Sequence, residues 1–392
     1  MPPGNVNEPP FETSADKGGT IVDEPVVFVA RDTHMRHMRK YACSVVLLLA
    51  VAGCGTDWGY ALTAVVGQLN LLQNTIPIDQ AVATLDLTAE QRSKLALIQD
   101  VRLFARDRVG LNIENYYTTY YDAGDRPVAI NLSAARKDRL EPKFWNFPFV
   151  GDLPYLGFFD PAAARARADE LERDGWDVFL YEIDAYSIGT FAENPVLSTV
   201  LRRDEFELAD LVVHELLHAT IFRLGDIAFN EQLATFVGRT AAIQFYARRF
   251  PDDPDRLRTA RNGLEDADRW YAFGLEFYRE LETYYAGEPG REARIAGREA
   301  IFQSARDRFV AEVRPLMHAP ERFDRAAELP TNNAFILGLQ RYQGRLDVFD
   351  RVFDAAGGSW PVAMALFRRA ADHQGDPYEF LIDQAAMLAP DP

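Results

Sequence analysis

Hydrophobic residues recur at helical spacing over most of the chain beyond residue 54. Thr88 followed by Gln91 forms a capping-box pattern, which opens a predicted helix that runs to about residue 109. Asp160 before Pro161 opens another, to about residue 173, because aspartate caps a helix and proline fits its first turn. Further helices are predicted over residues 230–250, 255–285, 291–313 and 332–353, and two shorter ones close the chain near residue 387.

Strand-like patterns lie before residue 211. Residues 126–132 alternate polar and apolar positions, and the apolar and aromatic run at residues 177–187 predicts a second strand. Residues 115–121 are rich in aromatics, and residues 144–159 are dense in aromatics, proline and glycine. Such segments wall a substrate cleft or, more commonly, belong to the core. The pattern predicts an α+β fold that is predominantly helical, with a short sheet before residue 211.

The helix predicted around residues 211–220 carries His214, Glu215 and His218 in the pattern H-E-x-x-H. A spacing of four places both imidazoles on one helix face, where they can bind one Zn²⁺. Glu215 is then placed to act as a general base toward a water molecule at the open zinc position. The alternative is an accidental match on an amphipathic helix. The apolar residues around the triplet oppose it, because buried histidine and glutamate need a partner.

The third ligand follows the motif helix. Leu224 occupies the position at which one metallopeptidase subclass has a third histidine. Gly225 is expected to end the motif helix in a left-handed cap, and Asn230 to cap a second helix with Glu231 in its first turn. A returning helix directs Glu231 at the metal, although first-turn acids also serve simply to complement the helix dipole. Asp226 is the alternative ligand.

Substrate contacts are predicted at three further positions. The strand at residues 177–187 is expected to hold an extended peptide by main-chain hydrogen bonds, with Tyr186 as a substrate-binding candidate. Glu193 lies in a Gly-to-Glu-Asn segment that is similar to an aminopeptidase loop gripping the substrate amino group, which makes it an amine-anchor candidate. Tyr342 is a candidate for stabilising the oxyanion. His318 and His373 are predicted to be surface residues rather than ligands.

The N-terminal region has the features of an export signal. Residues 1–34 are predicted to be disordered or to precede the true start of translation at Met35 or Met38. Residues 35–53 have a basic start, an apolar run and small residues before Cys54, as lipoprotein signal peptides do. Cys54 is the predicted lipid attachment site, and the alternative is a plain signal peptide with an incidental cysteine. Gly55 in place of an acidic residue indicates sorting to the outer membrane.

Composition and charge narrow the class of protein. The chain has 392 residues, 48% hydrophobic content and two cysteines, which suffices for a large core but leaves no disulfide once Cys54 is acylated. Its formal net charge of −17 repels nucleic acid, which we do not expect as a partner. Residues 54–392 form the predicted body, which divides into an N-terminal portion at residues 54–200 and a C-terminal portion at residues 201–392.

A set of short blocks resembles the bacterial predicted-aminopeptidase family, whose members are H-E-x-x-H zinc metallopeptidase-like lipoproteins. The blocks are Cys54 at the lipobox, Gly67-Gln68-Leu69, Phe147-Pro148 with Gly151, residues 154–160, Ala185-Tyr186-Ser187, residues 194–198, the H-E-x-x-H motif, Phe229-Asn230-Glu231 and Asn332-Asn333-Ala334. The resemblance implies a metallopeptidase with His214, His218 and Glu231 as metal ligands and Glu215 as base. The loop before Asn194 departs from the wording usual in that family.

These features predict a gluzincin-like metallopeptidase core within the α+β fold. The expected protein is lipid-anchored in a bacterial envelope, faces the periplasm and uses Zn²⁺ to hydrolyse peptides. The alternative is a non-catalytic envelope lipoprotein that keeps a structural metal site and binds peptides or partner proteins. An intact Glu215 favours the enzyme, because a structural site needs ligands but no base.

Overall fold

The structure, a computed structural model, describes residues 71–124, 127–147, 151–183, 194–287, 290–327 and 332–388, all within one unit that spans residues 44–392. The predictions for Cys54, Tyr186 and Glu193, and those for the two N-terminal segments before residue 54, lie outside the described residues. The described part is mostly helical and carries small sheets, as the hydrophobic pattern predicts.

In chain order the strands are β1 (Ile76–Pro77), β2 (Tyr116–Tyr121), β3 (Ala129–Arg136), β4 (Trp145–Phe147), β5 (Gly151–Leu153), β6 (Leu156–Phe158), β7 (Trp176–Ile183) and β8 (Asn194–Leu197). The helices are α1 (Ile78–Thr84), α2 (Ala89–Phe104), α3 (Pro161–Arg173), α4 (Glu205–His218), α5 (Ile227–Arg249), α6 (Pro254–Gly287), α7 (Arg291–Arg308), α8 (Asn333–Gln343), α9 (Leu346–Ala355), α10 (Trp360–Asp372) and α11 (Pro377–Leu388). Within these ranges no helix combines the length and apolar content needed to span a lipid bilayer.

The described strands form two three-stranded sheets and a hairpin. In one sheet β2 lies between β1, which is antiparallel to it, and β8, which is parallel to it. In the other, β3 lies between β6 and β7, and both neighbours are antiparallel to it. The strands β4 and β5 pair with each other. One face of β3 and β6 buries Leu132, Leu156 and Phe158 against the alanines and leucine of α3, which fixes this sheet to its helix.

Local sequence signals account for several helix ends. The Thr88 hydroxyl accepts a hydrogen bond from the backbone N–H of Gln91, and the Gln91 side chain accepts one from the N–H of Thr88, which confirms the predicted capping box. The carboxylate of Asp160 accepts from the N–H of Ala162 at the start of α3, which ends at Arg173 as predicted. The helices predicted to reach residues 109 and 313 end there in short π-helical segments.

The pattern misplaces other boundaries. The strand predicted at residues 126–132 begins at Ala129 and continues to Arg136. The strand predicted at residues 177–187 is β7, whose described part ends at Ile183. The single helix predicted to run from Asn332 to residue 353 is two helices, α8 and α9. A buried side chain replaces the lost helical bonds, because Gln232 accepts from the backbone N–H of Arg345 and donates to the backbone oxygen of Arg341.

The junction between α4 and α5 also differs from the prediction. The helix α4 ends at His218, so Gly225 is not its cap, although Gly225 does adopt the left-handed conformation with φ of 79°. Asp226 caps α5 by accepting from the N–H of Phe229, so the prediction that Asn230 caps this helix is wrong. Asn230 instead pairs through its side-chain amide with the backbone of Arg223. Its amide is therefore engaged three residues inside the helix.

Close packing of α4 on α5 depends on a glycine. Gly238 of α5 faces Asp210 of α4, and a Cβ atom at this position would overlap the Asp210 carboxylate. Only glycine lets the two helix backbones approach so closely. The residues of α4 that lie on its buried side, among them Leu208, Val212 and Leu216, are almost fully excluded from solvent. The polar face of α4 is consequently held at a fixed distance from the first turns of α5.

Candidate metal centre

The two histidines of the motif share one face of α4, as their spacing predicts. Their ring centroids lie 4.9 Å apart with the ring planes at 81°. The Nε2 atoms of His214 and His218 are 3.2 Å apart. Two lone pairs therefore converge on one point outside the helix.

Glu231 approaches the same point from the first turns of α5. Its Oε2 atom lies 3.3 Å from Nε2 of His214 and 3.7 Å from Nε2 of His218. The three groups form a cluster in which all ligand atoms lie within 4.8 Å of one another. The side chains of His214, His218 and Glu231 are 16%, 13% and 13% exposed, so the cluster is largely buried but still reached by solvent.

These distances suit a tetrahedral metal ion. Ligand atoms about 2.0–2.1 Å from a tetrahedral zinc lie roughly 3.3–3.4 Å from each other. The observed separations of 3.2, 3.3 and 3.7 Å bracket that value. Two imidazoles and one carboxylate are also the donor set of catalytic zinc sites, in which the fourth position takes water or substrate. The donor geometry and the donor chemistry therefore both fit a zinc ion with one open position.

The charges around the cluster attract a cation. Burial alone would raise the pKa of Glu231, but the two imidazoles outweigh burial and lower this pKa far below its usual range. Burial likewise opposes protonation of His214, but its hydrogen bond to Glu231 and the charges of Glu231, Glu215 and Asp210 outweigh burial and raise its pKa. The carboxylates thus draw positive charge to the point at which the three donors meet.

Glu215 stands outside the group of three ligand side chains. Its charge acts on two tyrosines of β2. Burial first, and the charge of Glu215 second, raise the pKa of Tyr116 to about 12 and that of Tyr117 well above its usual value. Tyr117 and the preceding Asn115 adopt positive φ angles of 55° and 62°. A bulky residue in this conformation is strained, and such strain is concentrated at functional sites.

Tyr342 of α8 lies close to Glu231. The charge of Glu231 is the main reason, ahead of burial, that the pKa of Tyr342 is raised well above its usual value. The structure therefore brings this predicted candidate to the cluster. The phenol is protonated at neutral pH, so that the hydroxyl can donate a hydrogen bond.

Two further tyrosines near the cluster were not predicted. Burial, followed by the charge of Glu231, raises the pKa of Tyr155, and the charges of Tyr181 and Arg341 also act on it. Tyr155 follows a turn between β5 and β6, and Tyr181 lies on β7. Tyr155 falls in one of the sequence blocks that carry the family resemblance, and this block could have identified it as a candidate site residue. For Tyr181 no signal existed, because strand pairing sets its position.

The remaining candidates lie elsewhere. Asp226, the alternative ligand, caps α5 with Oδ1 3.0 Å from the N–H of Phe229 and is not part of the ligand cluster. His318 pairs with Glu265 at 3.0 Å, and the ring of His373 packs against Phe380. As predicted, neither histidine belongs to the cluster.

Comparison with known proteins adds one finding. The family model described as "Putative aminopeptidase" matches residues 59–376, which include the three clustered side chains, Glu215 and Tyr342. No curated protein matches the chain, and no solved structure does. The match covers most of the 392 residues.

Proposed function

The chain belongs to the aminopeptidase family whose model matches it, and we propose that it is a zinc-dependent peptidase. His214, His218 and Glu231 would hold the metal, and Glu215 would act as general base. The observation that carries this proposal is the convergence of Oε2 of Glu231 on the two Nε2 atoms, at 3.3 and 3.7 Å. This H-E-x-x-H helix followed by a glutamate on the returning helix is the basis for proposing a gluzincin-like core.

The proposed reaction is hydrolysis of a peptide bond. A zinc ion held by these three residues would supply Lewis acidity, lowering the pKa of a water molecule and polarising the scissile carbonyl. Glu215 accepts the proton of the attacking water and delivers it to the departing nitrogen, since its carboxylate is not used as a ligand. The Tyr342 hydroxyl donates a hydrogen bond to the carbonyl oxygen as negative charge develops there.

The strand β7 is the proposed binding edge for the peptide. Among the described strands it lies at the edge of the order β6-β3-β7. The Asn332 amide donates to the backbone oxygen of Val178 and so occupies the first part of β7. Tyr181 on the later part is close enough to influence Tyr155 and Tyr342 beside the cluster. The later part of β7 would therefore hold the extended substrate by β-augmentation. Tyr186 and Glu193, in the residues that follow, stay candidates for contacting substrate.

The proposed location rests on the sequence before residue 55. The signal-like residues 35–53 and Cys54 support a lipoprotein that is anchored in a bacterial membrane. Mass spectrometry of the mature N-terminus tests this proposal. A diacylglyceryl group on Cys54 is the expected result. Finding residues 1–34 in the mature protein would contradict it.

A single substitution tests the proposed chemistry. Zinc-loaded wild-type protein is expected to cleave members of a peptide library, whereas Glu215→Gln loses roughly a hundredfold or more of this activity because it cannot accept a proton. Glu276→Gln is the matched control, because Glu276 is an exposed glutamate of α6. Equal activity in wild type and Glu215→Gln, or none in either, would refute the proposal and favour a binding lipoprotein with a structural metal.

A further inference from the structure

Arg341 is a buried cation without a counter-ion near the proposed active site. It is only 7% exposed, and among the described residues no carboxylate forms an ion pair with its guanidinium. The other two buried basic side chains in the described ranges are paired. Arg298 makes two hydrogen bonds to Asp177, at 2.6 and 2.9 Å, and Lys94 bonds to Glu90 at 2.6 Å. An unpaired buried charge is costly, so Arg341 calls for a partner that the described part of the chain does not supply.

The position of Arg341 is fixed by its neighbours. Its backbone oxygen accepts a hydrogen bond from Gln232, the residue that follows Glu231 on α5. Its guanidinium carbon lies 5.4 Å from the ring centroid of Tyr155. This cation–π contact covers one face of the guanidinium, and within the described ranges no acceptor bonds to its N–H donors, which lie in the plane of the group.

Tyr155 connects Arg341 to the metal centre. The same phenol is influenced by the charges of Glu231 and Glu215 on one side and of Arg341 on the other. Tyr342, beside Glu231, also interacts with the charge of Arg341. The guanidinium therefore contacts a tyrosine on which the charges of the cluster also act, and its backbone is bonded to the residue next to Glu231. A substrate group that reaches it belongs to a residue close to the scissile bond.

The missing partner must be a planar anion. A guanidinium presents parallel N–H donors that match the two oxygens of a carboxylate, and such paired hydrogen bonds are stronger than neutral ones. Peptides carry carboxylates at the C-terminus and on aspartate and glutamate. We infer that Arg341 binds a carboxylate of the peptide substrate and so selects peptides that carry one near the cleaved bond. This inference rests on the proposed peptidase function and names the substrate class.

The test uses the zinc-loaded full chain and a library of short peptides made in matched forms. Each sequence is present with a free C-terminus and as the C-terminal amide, and each glutamate-containing sequence has a glutamine counterpart. The wild type is expected to cleave the carboxylate forms at least about tenfold faster in kcat/KM, with the difference mainly in KM. If amidation removes the preference, the carboxylate is the C-terminus; if glutamine removes it, the carboxylate is a side chain.

Substitution of Arg341 separates recognition from catalysis. Arg341→Gln is expected to reduce the carboxylate-to-neutral ratio to about one, and Arg341→Lys to retain part of it. Arg345→Gln is the matched control, because Arg345 also stacks on a tyrosine, 4.8 Å from the ring of Tyr378, and should keep the wild-type ratio. A ratio near one in the wild type would overturn the inference. So would an Arg341→Gln variant that loses activity equally on both forms, because that result indicates an oxyanion or structural role.

A binding measurement distinguishes failure of this inference from failure of the proposed function. The same paired peptides are arrayed and probed with the Glu215→Gln protein, with and without Arg341→Gln. If the wild type cleaves nothing but Glu215→Gln still retains carboxylate forms about tenfold better, the peptidase proposal fails and the carboxylate site stands. If cleavage occurs without a carboxylate preference in either assay, the peptidase proposal stands and the carboxylate site is refuted.

Discussion

Replacing Gly238 with alanine tests whether the contact between α4 and α5 sets the geometry of the metal centre. The added methyl group would overlap the Asp210 carboxylate, and it would lie 3.0 Å from the backbone oxygen of Asp210 and 3.4 Å from Cβ of His214. The carboxylate can rotate away, but the backbone oxygen moves only if the helix moves. Because His214 is on the same helix, its distance to Glu231 would change as well.

The size of the effect follows from two opposing contributions. Inserting a methyl group into a packed interior costs about 1–3 kcal/mol. Alanine in place of glycine inside a helix stabilises the helix by roughly 1 kcal/mol. We therefore expect Gly238→Ala to lower the free energy of unfolding by about 1 kcal/mol. Gly263→Ala on α6 is the control, because its nearest neighbour is a guanidinium nitrogen of Arg322 at 3.9 Å, and it should gain roughly 0.5–1 kcal/mol.

Two measurements check this prediction. Urea denaturation of the metal-free proteins should separate the two variants by about 2 kcal/mol, the difference between the opposite effects expected above. Competition with a zinc chelator should show about tenfold weaker zinc binding for Gly238→Ala and no change for Gly263→Ala, since residues that position metal ligands affect affinity on this scale. If the two variants are equally stable and bind zinc equally well, the helix contact does not control the site.

The remaining predictions address the ligand, a buried ion pair and a helix cap. Glu231→Gln should weaken zinc binding in the chelator assay. In the metal-free protein the pKa of Glu231 is lowered from its usual value of 4.5, so the ionised carboxylate stabilises the fold at pH values above 4.5. This stabilisation is lost as the pH falls below 4.5, and the stabilities of wild type and Glu231→Gln should therefore converge in acid. Arg298→Met leaves Asp177 buried without its partner and should cost about 3–5 kcal/mol in urea, whereas adding Asp177→Leu should recover part of the loss. Thr88→Ala removes the cap of α2 and should cost about 1 kcal/mol by the same assay.

Local periodicity explains why part of the site could be predicted. The four-residue spacing of His214 and His218 determines their common face on any helix, and a short turn allows the following helix to return to that face. The start of the returning helix was harder to predict, because Asp226 and Asn230 both belong to residue types that cap helices. Asp226 is the cap in the structure, while Asn230 is held by the backbone of Arg223. That contact joins the helix to the loop before it, and the sequence pattern does not predict it.

Contacts between distant segments explain what could not be predicted. The strand β2 pairs with β8, more than seventy residues later, and its aromatic sequence has no clear alternation between Asn115 and Tyr121. A register shift in this pairing accompanies the positive φ of Tyr117, whose pKa is raised by burial and by the charge of Glu215. The position of Tyr181 likewise depends on its pairing with Asn131 in β3. Period and propensity describe one segment at a time and therefore do not reveal which segments meet.

Three consecutive side chains on α5 link the metal centre to the rest of the C-terminal half. Asn230 binds the backbone of Arg223, whose guanidinium in turn donates to backbone oxygens at the end of α10, including that of Ala371 at 3.1 Å. Glu231 faces the histidines. Gln232 accepts from the N–H of Arg345 and from the hydroxyl of Tyr378. The C-terminal helices, which carry no metal ligand in the described ranges, therefore hold the first turns of α5 on both sides of Glu231. A motif of five residues supplies two ligands locally, whereas the third ligand is positioned by polar contacts that extend over more than a hundred residues of sequence.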